Sequence, residues 1–134
     1  MIFGHNGGNL PPGVGLNKDY ESVNLRWSGP VGTRFQLREL QRDDALVKSI
    51  QTALAKDGVV RIVSCGYFYG GKERYPREQW EEQLQQIANL LDRSVCALRV
   101  PSTINADGLP VPFRGPGYQD ADIIDWVYKV PNKR

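Results

Sequence analysis

The sequence predicts an α/β domain with a mostly parallel sheet, flanking helices and an inserted β-ribbon. Three observations carry that prediction. Short apolar runs at residues 59–64 and 95–100 alternate with segments of helical periodicity at 43–56 and 77–92. A run that is apolar at nearly every position is the pattern of a strand covered on both faces, as parallel sheets require. The order strand, helix, strand, helix, strand also favours right-handed crossovers within one sheet. A length of 134 residues then fits a single domain over 1–134, since domains commonly run ~100–150 residues.

In chain order, residues 1–4 end a short apolar strand, and "GGNLPPGVG" at 7–15 is too rich in glycine and proline to be anything but loop. Residues 21–27, "ESVNLRW", alternate with Val23, Leu25 and Trp27 on one side, a half-buried strand. Residues 33–37 return as its hairpin partner, so 13–40 reads as a peripheral ribbon. Over 43–56, Leu46, Ile50, Ala53 and Leu54 keep helical spacing, Asp43 and Asp44 suit the positive N-terminal end, and Gly58 stops the helix. Over 77–92, Trp80, Leu84, Ile87 and Leu91 form one apolar stripe while Glu78, Glu81, Glu82, Gln85 and Gln86 face water. Pro101 ends the strand at 95–100. A long loop with prolines at 101, 110, 112 and 116 leads to a final strand over 123–130, and 131–134 should fray.

Composition excludes several function classes. Hydrophobic residues at 40% and aromatics at 10% are ordinary for a soluble globular chain. The net charge of +2, from 17 basic and 15 acidic residues scattered along the chain, lacks the concentrated basic face that nucleic acid wants. No apolar run approaches the ~18–20 residues that span a bilayer. No basic segment followed by an apolar core opens the chain, so a cytoplasmic protein or a module of a larger secreted effector is expected. Two cysteines fall short of a disulfide framework, and one histidine with no CxxC pair argues against a zinc site. No metal or cofactor is therefore expected.

The chemistry gathers at two strand ends. His5, in "IFGHNGG", lies just past the first strand, and Cys65, in "VVRIVSCGYFYGG", just past the run at 59–64. In open parallel α/β sheets, reactive groups collect outside the carboxyl ends of strands. If the two strands are neighbours, both side chains leave one sheet edge about 5 Å apart in the pairing direction. An imidazole there favours the thiolate, which attacks a carbonyl, and later protonates a leaving amine. Backbone N–H groups of Cys65, Asn6, Gly7 and Gly66 are candidate donors to a developing oxyanion. The bland alternatives are a small packed cysteine closing a core strand and a loop histidine bonded to backbone. Cys96, in mid-strand, reads as core packing.

"FGHNGG", "VVRIVSCG" and "LLDRSVCALRV" together resemble the caspase-like cysteine peptidase superfamily, which includes caspases, separase, gingipains, clostripain, the cysteine protease domains of bacterial toxins, and CHAT domains. The resemblance covers residues 1 to about 100. It implies a three-layer sandwich, with His5 as general base and acid, Cys65 as nucleophile and a peptide or protein as substrate. It also implies a cysteine-dependent peptidase or related acyl hydrolase, a module of a bacterial toxin or effector. Asn6 stands where the family has the glycine of its oxyanion hole, with Gly7 one step later.

Two other functions compete. One is a non-catalytic binding or interaction module on the same fold, with the dyad as a relic. The other is a nucleotide-binding domain with phosphate on "HNGGNLPPGVG", although the lysine and glycine spacing of a P-loop are missing. Tyr67 and Tyr69 line a specificity pocket or pack their loop down, and "YFYGGKERYP" reads as a mobile flap. Asp120, Asp122 and Asp125 attract a basic substrate side chain or form a solvated acidic rim.

Overall fold

Thr33, Gln36, Leu37 and Leu40 recur at helical spacing, and they form the buried face of helix α1 (Thr33–Arg42) where a returning strand was expected. The difference has a physical source. Thr33, Phe35 and Leu37 imitate two-residue alternation, while a glutamine at 36 conceals the helical stripe. In the fold Phe35 is 41% exposed and Gln36 is fully buried. Gln36 tolerates the core because its Nε2 donates to the Val63 carbonyl at 2.8 Å.

Asp43 both ends α1 and starts α2 (Asp44–Ala53). Its N–H donates to Leu40 O, and its carboxylate accepts from Leu46 N–H at 2.9 Å, a side-chain cap of the usual kind. Helix α2 is the inner part of the helix expected over 43–56. It stops at Leu54, whose extended backbone and almost complete burial turn the chain into the core before Gly58 is reached.

The computed structural model describes residues 14–16, 22–27, 31–69, 72–74, 76–106, 109–113 and 126–132. Strands β1 (Val14–Leu16), β2 (Ser22–Leu25), β3 (Val59–Ile62), β6 (Ser94–Leu98) and β9 (Trp126–Lys129) form one sheet in the order β1-β2-β3-β6-β9. The central pairs β2–β3 and β3–β6 are parallel; β1 and β9 are the outer strands among the described residues and pair antiparallel. Two short antiparallel pairs are also described: β4 (Phe68–Tyr69) with β5 (Lys72–Glu73), and β7 (Ser102–Ile104) with β8 (Pro110–Pro112). Helix α3 (Arg77–Leu91) lies between β5 and β6.

Each step from β2 to β3 to β6 advances the same way across the sheet. Right-handed crossovers then place the three described helices on one face. Contacts of α1 with α3, of α1 with α2 and of α2 with α3 bear that out. The register aligns Val23, Val60 and Val95 in one row on the helical side, and Leu25, Ile62 and Ala97 in another. All six are fully buried, together with Leu40, Ile50, Trp80, Leu84, Ile87 and Leu91 from the helices. At ~1.5–3 kcal/mol for each large apolar side chain, these rows supply the main driving force of the fold. On the opposite face Asn24, Arg61 and Cys96 align, and Asn24, Cys96 and Leu98 are buried too.

The mixed α/β class with a parallel sheet centre agrees with expectation, but several details differ. The ribbon expected over 13–40 shrinks to β1 and β2, and β2 is no appendage but a central parallel strand. The long loop after Pro101 contains the β7–β8 hairpin, whose Pro110 and Pro112 sit in a short two-stranded piece that tolerates proline. At the C-terminal end, Asn132 N–H donates to Asn89 Oδ1 at 2.8 Å, so the described part of that tail is tied to α3. The strand expected over 1–4 lies outside the described residues.

Arg93 fastens the far end of the sheet. Its guanidinium donates to Gln51 O at 3.0 Å, Leu54 O at 3.2 Å and Asp92 O at 2.7 Å. A buried cation there answers the partial negative charge of the α2 C-terminus.

Candidate active site

The carboxyl ends of β2, β3 and β6 share one edge. Beyond β3 the chain runs through Val63, Ser64 and Cys65 into Gly66, whose φ of +69° turns it sharply. A Cβ at Gly66 would lie 2.6 Å from the Val100 carbonyl carbon and 2.7 Å from Arg99 O, so only glycine lets the two loops meet. The loops are then stitched together. Ser102 N–H donates to Ser64 O at 3.1 Å, and Ser64 N–H donates to Ser102 Oγ at 3.3 Å.

Cys65 is partly exposed on this edge. Burial pushes its thiol above the ordinary value, while the Arg74 guanidinium beside it, hydrogen-bonded to the sulfur, pulls the other way and offsets part of the effect. Arg74 is held by its own backbone, whose N–H donates to Tyr67 O at 2.6 Å. Nothing in the sequence marked Arg74, because a single arginine in "GGKERYP" looks like any solvated cation. Arg99 is a second cation of this region, with its guanidinium 4.7 Å from the Phe68 ring centroid.

The backbone donors expected around Cys65 are already engaged. Cys65 N–H donates to Val31 O at 3.1 Å, and both Tyr67 N–H and Phe68 N–H donate to Arg99 O. Gly66 N–H donates to Ser64 Oγ at 3.3 Å. As folded, the Cys65 and Gly66 amides expected to serve an oxyanion hold loops together.

Of the two alternatives for Tyr67, packing is the one the structure shows. The residue is 3% exposed and packs on Trp80 with centroids 4.9 Å apart, a core residue and not a pocket wall. Its burial fixes the base of the segment expected to be a flap. Tyr69 contributes its backbone to β4. Cys96 is core, as expected: 1% exposed, with burial pushing its thiol up to about 12 against the opposing pull of Arg61.

His5, Asn6, Gly7, Asp120, Asp122 and Asp125 lie outside the described residues. Among the described residues, both places beside β3 are taken, by β2 and β6.

No family model matches this chain, and no curated protein or solved structure matches it either. Among the described residues, no three His, Cys, Asp or Glu side chains are grouped to hold a metal ion. No helix among them is long and apolar enough to cross a membrane.

Proposed function

We propose that this domain is a cysteine-dependent peptidase or related acyl hydrolase of the caspase-like kind, with Cys65 as nucleophile and His5 as its base and acid. The observation that carries the proposal is a partly exposed thiol at the carboxyl edge of a parallel sheet centre, hydrogen-bonded by Arg74. The guanidinium favours the thiolate electrostatically and offsets part of the larger effect of burial, which holds the thiol above its ordinary value. In the proposed step the thiolate sulfur bonds to the substrate's acyl carbon, and the amine departs with the proton from His5. Water then hydrolyses the thioester and frees the thiol. A peptide or protein fits as substrate, and a three-layer caspase-like arrangement is part of the same proposal.

A second reading, a non-catalytic interaction module, draws support from a specific observation. The amides of residues 65–68 are bonded internally and the thiol is raised by burial, which suits a structural strand end. The two are separated by a peptidyl chloromethyl ketone followed by peptide mass mapping. A catalytic site adds one peptidyl group at Cys65, and His5→Ala slows the addition. Absence of adduct on a folded protein assigns the domain to the second class.

A further inference from the structure

Helices α1 and α3 bound a groove of about 480 Å³ lined by Gly32, Arg34, Phe35, Arg38, Gln79 and Gln83. Arg34 and Arg38 are exposed and stand one turn apart, and neither has an ion pair or hydrogen bond among the described residues, whereas Arg42 at the next turn is paired with Glu39 at 3.7 Å. No acidic residue occupies the first turn of α1, and no side chain caps it. No carboxylate among the described residues lines the groove. Gln83 Oε1 already accepts the Thr33 hydroxyl at 2.6 Å, so its amide hydrogens are what it has left to offer a visitor. Between the two arginines Phe35 leaves 41% of its surface in water.

We propose that this groove docks an acidic polypeptide segment carrying an apolar residue. Side chains one helical turn apart have Cβ atoms ~5–6 Å apart. Alternate side chains of an extended peptide are spaced by roughly 6.6 Å, twice the strand rise. Carboxylates at i and i+2 of such a segment therefore meet Arg34 and Arg38 together, each guanidinium offering a forked pair of donors. The Phe35 ring takes an apolar neighbour, and the amides of Gln79 and Gln83 suit peptide backbone. A nucleic acid fits less well. Two cations make a short track for a polyanion, and Glu39, Glu78 and Glu82 on the same two helices repel a long one. The proposal does not depend on the chemistry of Cys65.

The test uses a fluorescein-labelled decapeptide of alternating Glu and Ser with one central Leu, titrated with the whole chain while anisotropy is followed. Binding is expected, weakening with salt, and Arg34→Glu/Arg38→Glu should reduce it by roughly tenfold or more. Phe35→Ala should weaken it several-fold while the circular dichroism spectrum stays unchanged. Should the double variant fail to fold, the single variants Arg34→Gln and Arg38→Gln carry the same comparison. Absence of binding, or binding unaltered by the arginine substitutions, overturns the proposal. So does an equally charged thymidine oligonucleotide that displaces the peptide at equal concentration.

Discussion

Gly66 is the position at which one methyl group should do the most damage. An added Cβ would meet three backbone atoms: the Val100 carbonyl carbon at 2.6 Å, Arg99 O at 2.7 Å and Val100 O at 2.8 Å. None of these can rotate aside, and Arg99 O is already fixed by the N–H groups of Tyr67 and Phe68. Ordinary contact begins at 3.4 Å, so relief requires the loops after β3 and β6 to part by more than half an ångström. A left-handed backbone costs a residue with a Cβ ~1–2 kcal/mol, and overpacking adds ~1–3 kcal/mol. Gly66→Ala should therefore lose roughly 2–5 kcal/mol, a large part of the ~5–15 kcal/mol that holds a typical domain. Urea unfolding followed by tryptophan fluorescence measures it. Gly66→Asn separates the two causes, since asparagine enters the left-handed region more readily but carries the same Cβ. Asparagine should recover at most the backbone share of ~1–2 kcal/mol and keep the overpacking share. A loss below ~1 kcal/mol for Gly66→Ala, or full rescue by asparagine, would refute close approach of the loops as the main cause.

Two other perturbations test the scaffold. Arg93→Met keeps the apolar stem but removes every donor to Gln51 O and Leu54 O. It should cost about 2–3 kcal/mol and lower the melting temperature by roughly 6–15 °C in calorimetry. An unchanged melting temperature would show that the guanidinium does not fasten α2 to the sheet. Glu81 accepts from Lys129 at 2.8 Å and also pairs with Arg77, and its carboxyl is held below the ordinary 4.5 first by the Lys129 hydrogen bond. Its stabilising contribution is complete above that ordinary value and disappears as pH falls through the lowered one. Glu81→Gln should thus lose about 0.5–1 kcal/mol near neutrality and nothing in strong acid. Urea midpoints at the two pH values would contradict the pairing if the deficit persisted in acid.

The sequence made some elements plain and concealed others for definite reasons. Strands β3 and β6 were legible because continuous apolar runs have no other economical place than a doubly covered sheet. Helix α3 was legible because Trp80, Leu84, Ile87 and Leu91 fall on one stripe, and all are fully buried. Helix α1 was hidden by Gln36, whose core position depends on a carbonyl 27 residues away that no local pattern announces. The position of β2 beside β3 was hidden for a similar reason. A strand with Asn24 between Val23 and Leu25 looks half exposed, yet Asn24 is 1% exposed in the sheet.

At the candidate site, the carboxyl-edge placement of Cys65 was readable from the end of an apolar run before glycine. Its electrostatic partner was not, because Arg74 reaches the thiol only through the β4–β5 hairpin. The use of the loop amides was equally unreadable. Their acceptors, Val31 O and Arg99 O, lie far along the chain and come close only through the parallel register.

The rate at which Cys65 is alkylated, followed against pH in the native protein and in His5→Ala, bears most directly on the proposed chemistry. Cys96 serves as the internal reference, being 1% exposed with its thiol pushed up to about 12. If His5 and Cys65 act as a pair, Cys65 reacts with iodoacetamide near neutrality at least ~10 times faster than Cys96, and His5→Ala removes most of that advantage. If Cys65 reacts only in alkali, with the same profile in His5→Ala, the thiol is a buried strand end held by Arg74 and the proposed nucleophile does not exist.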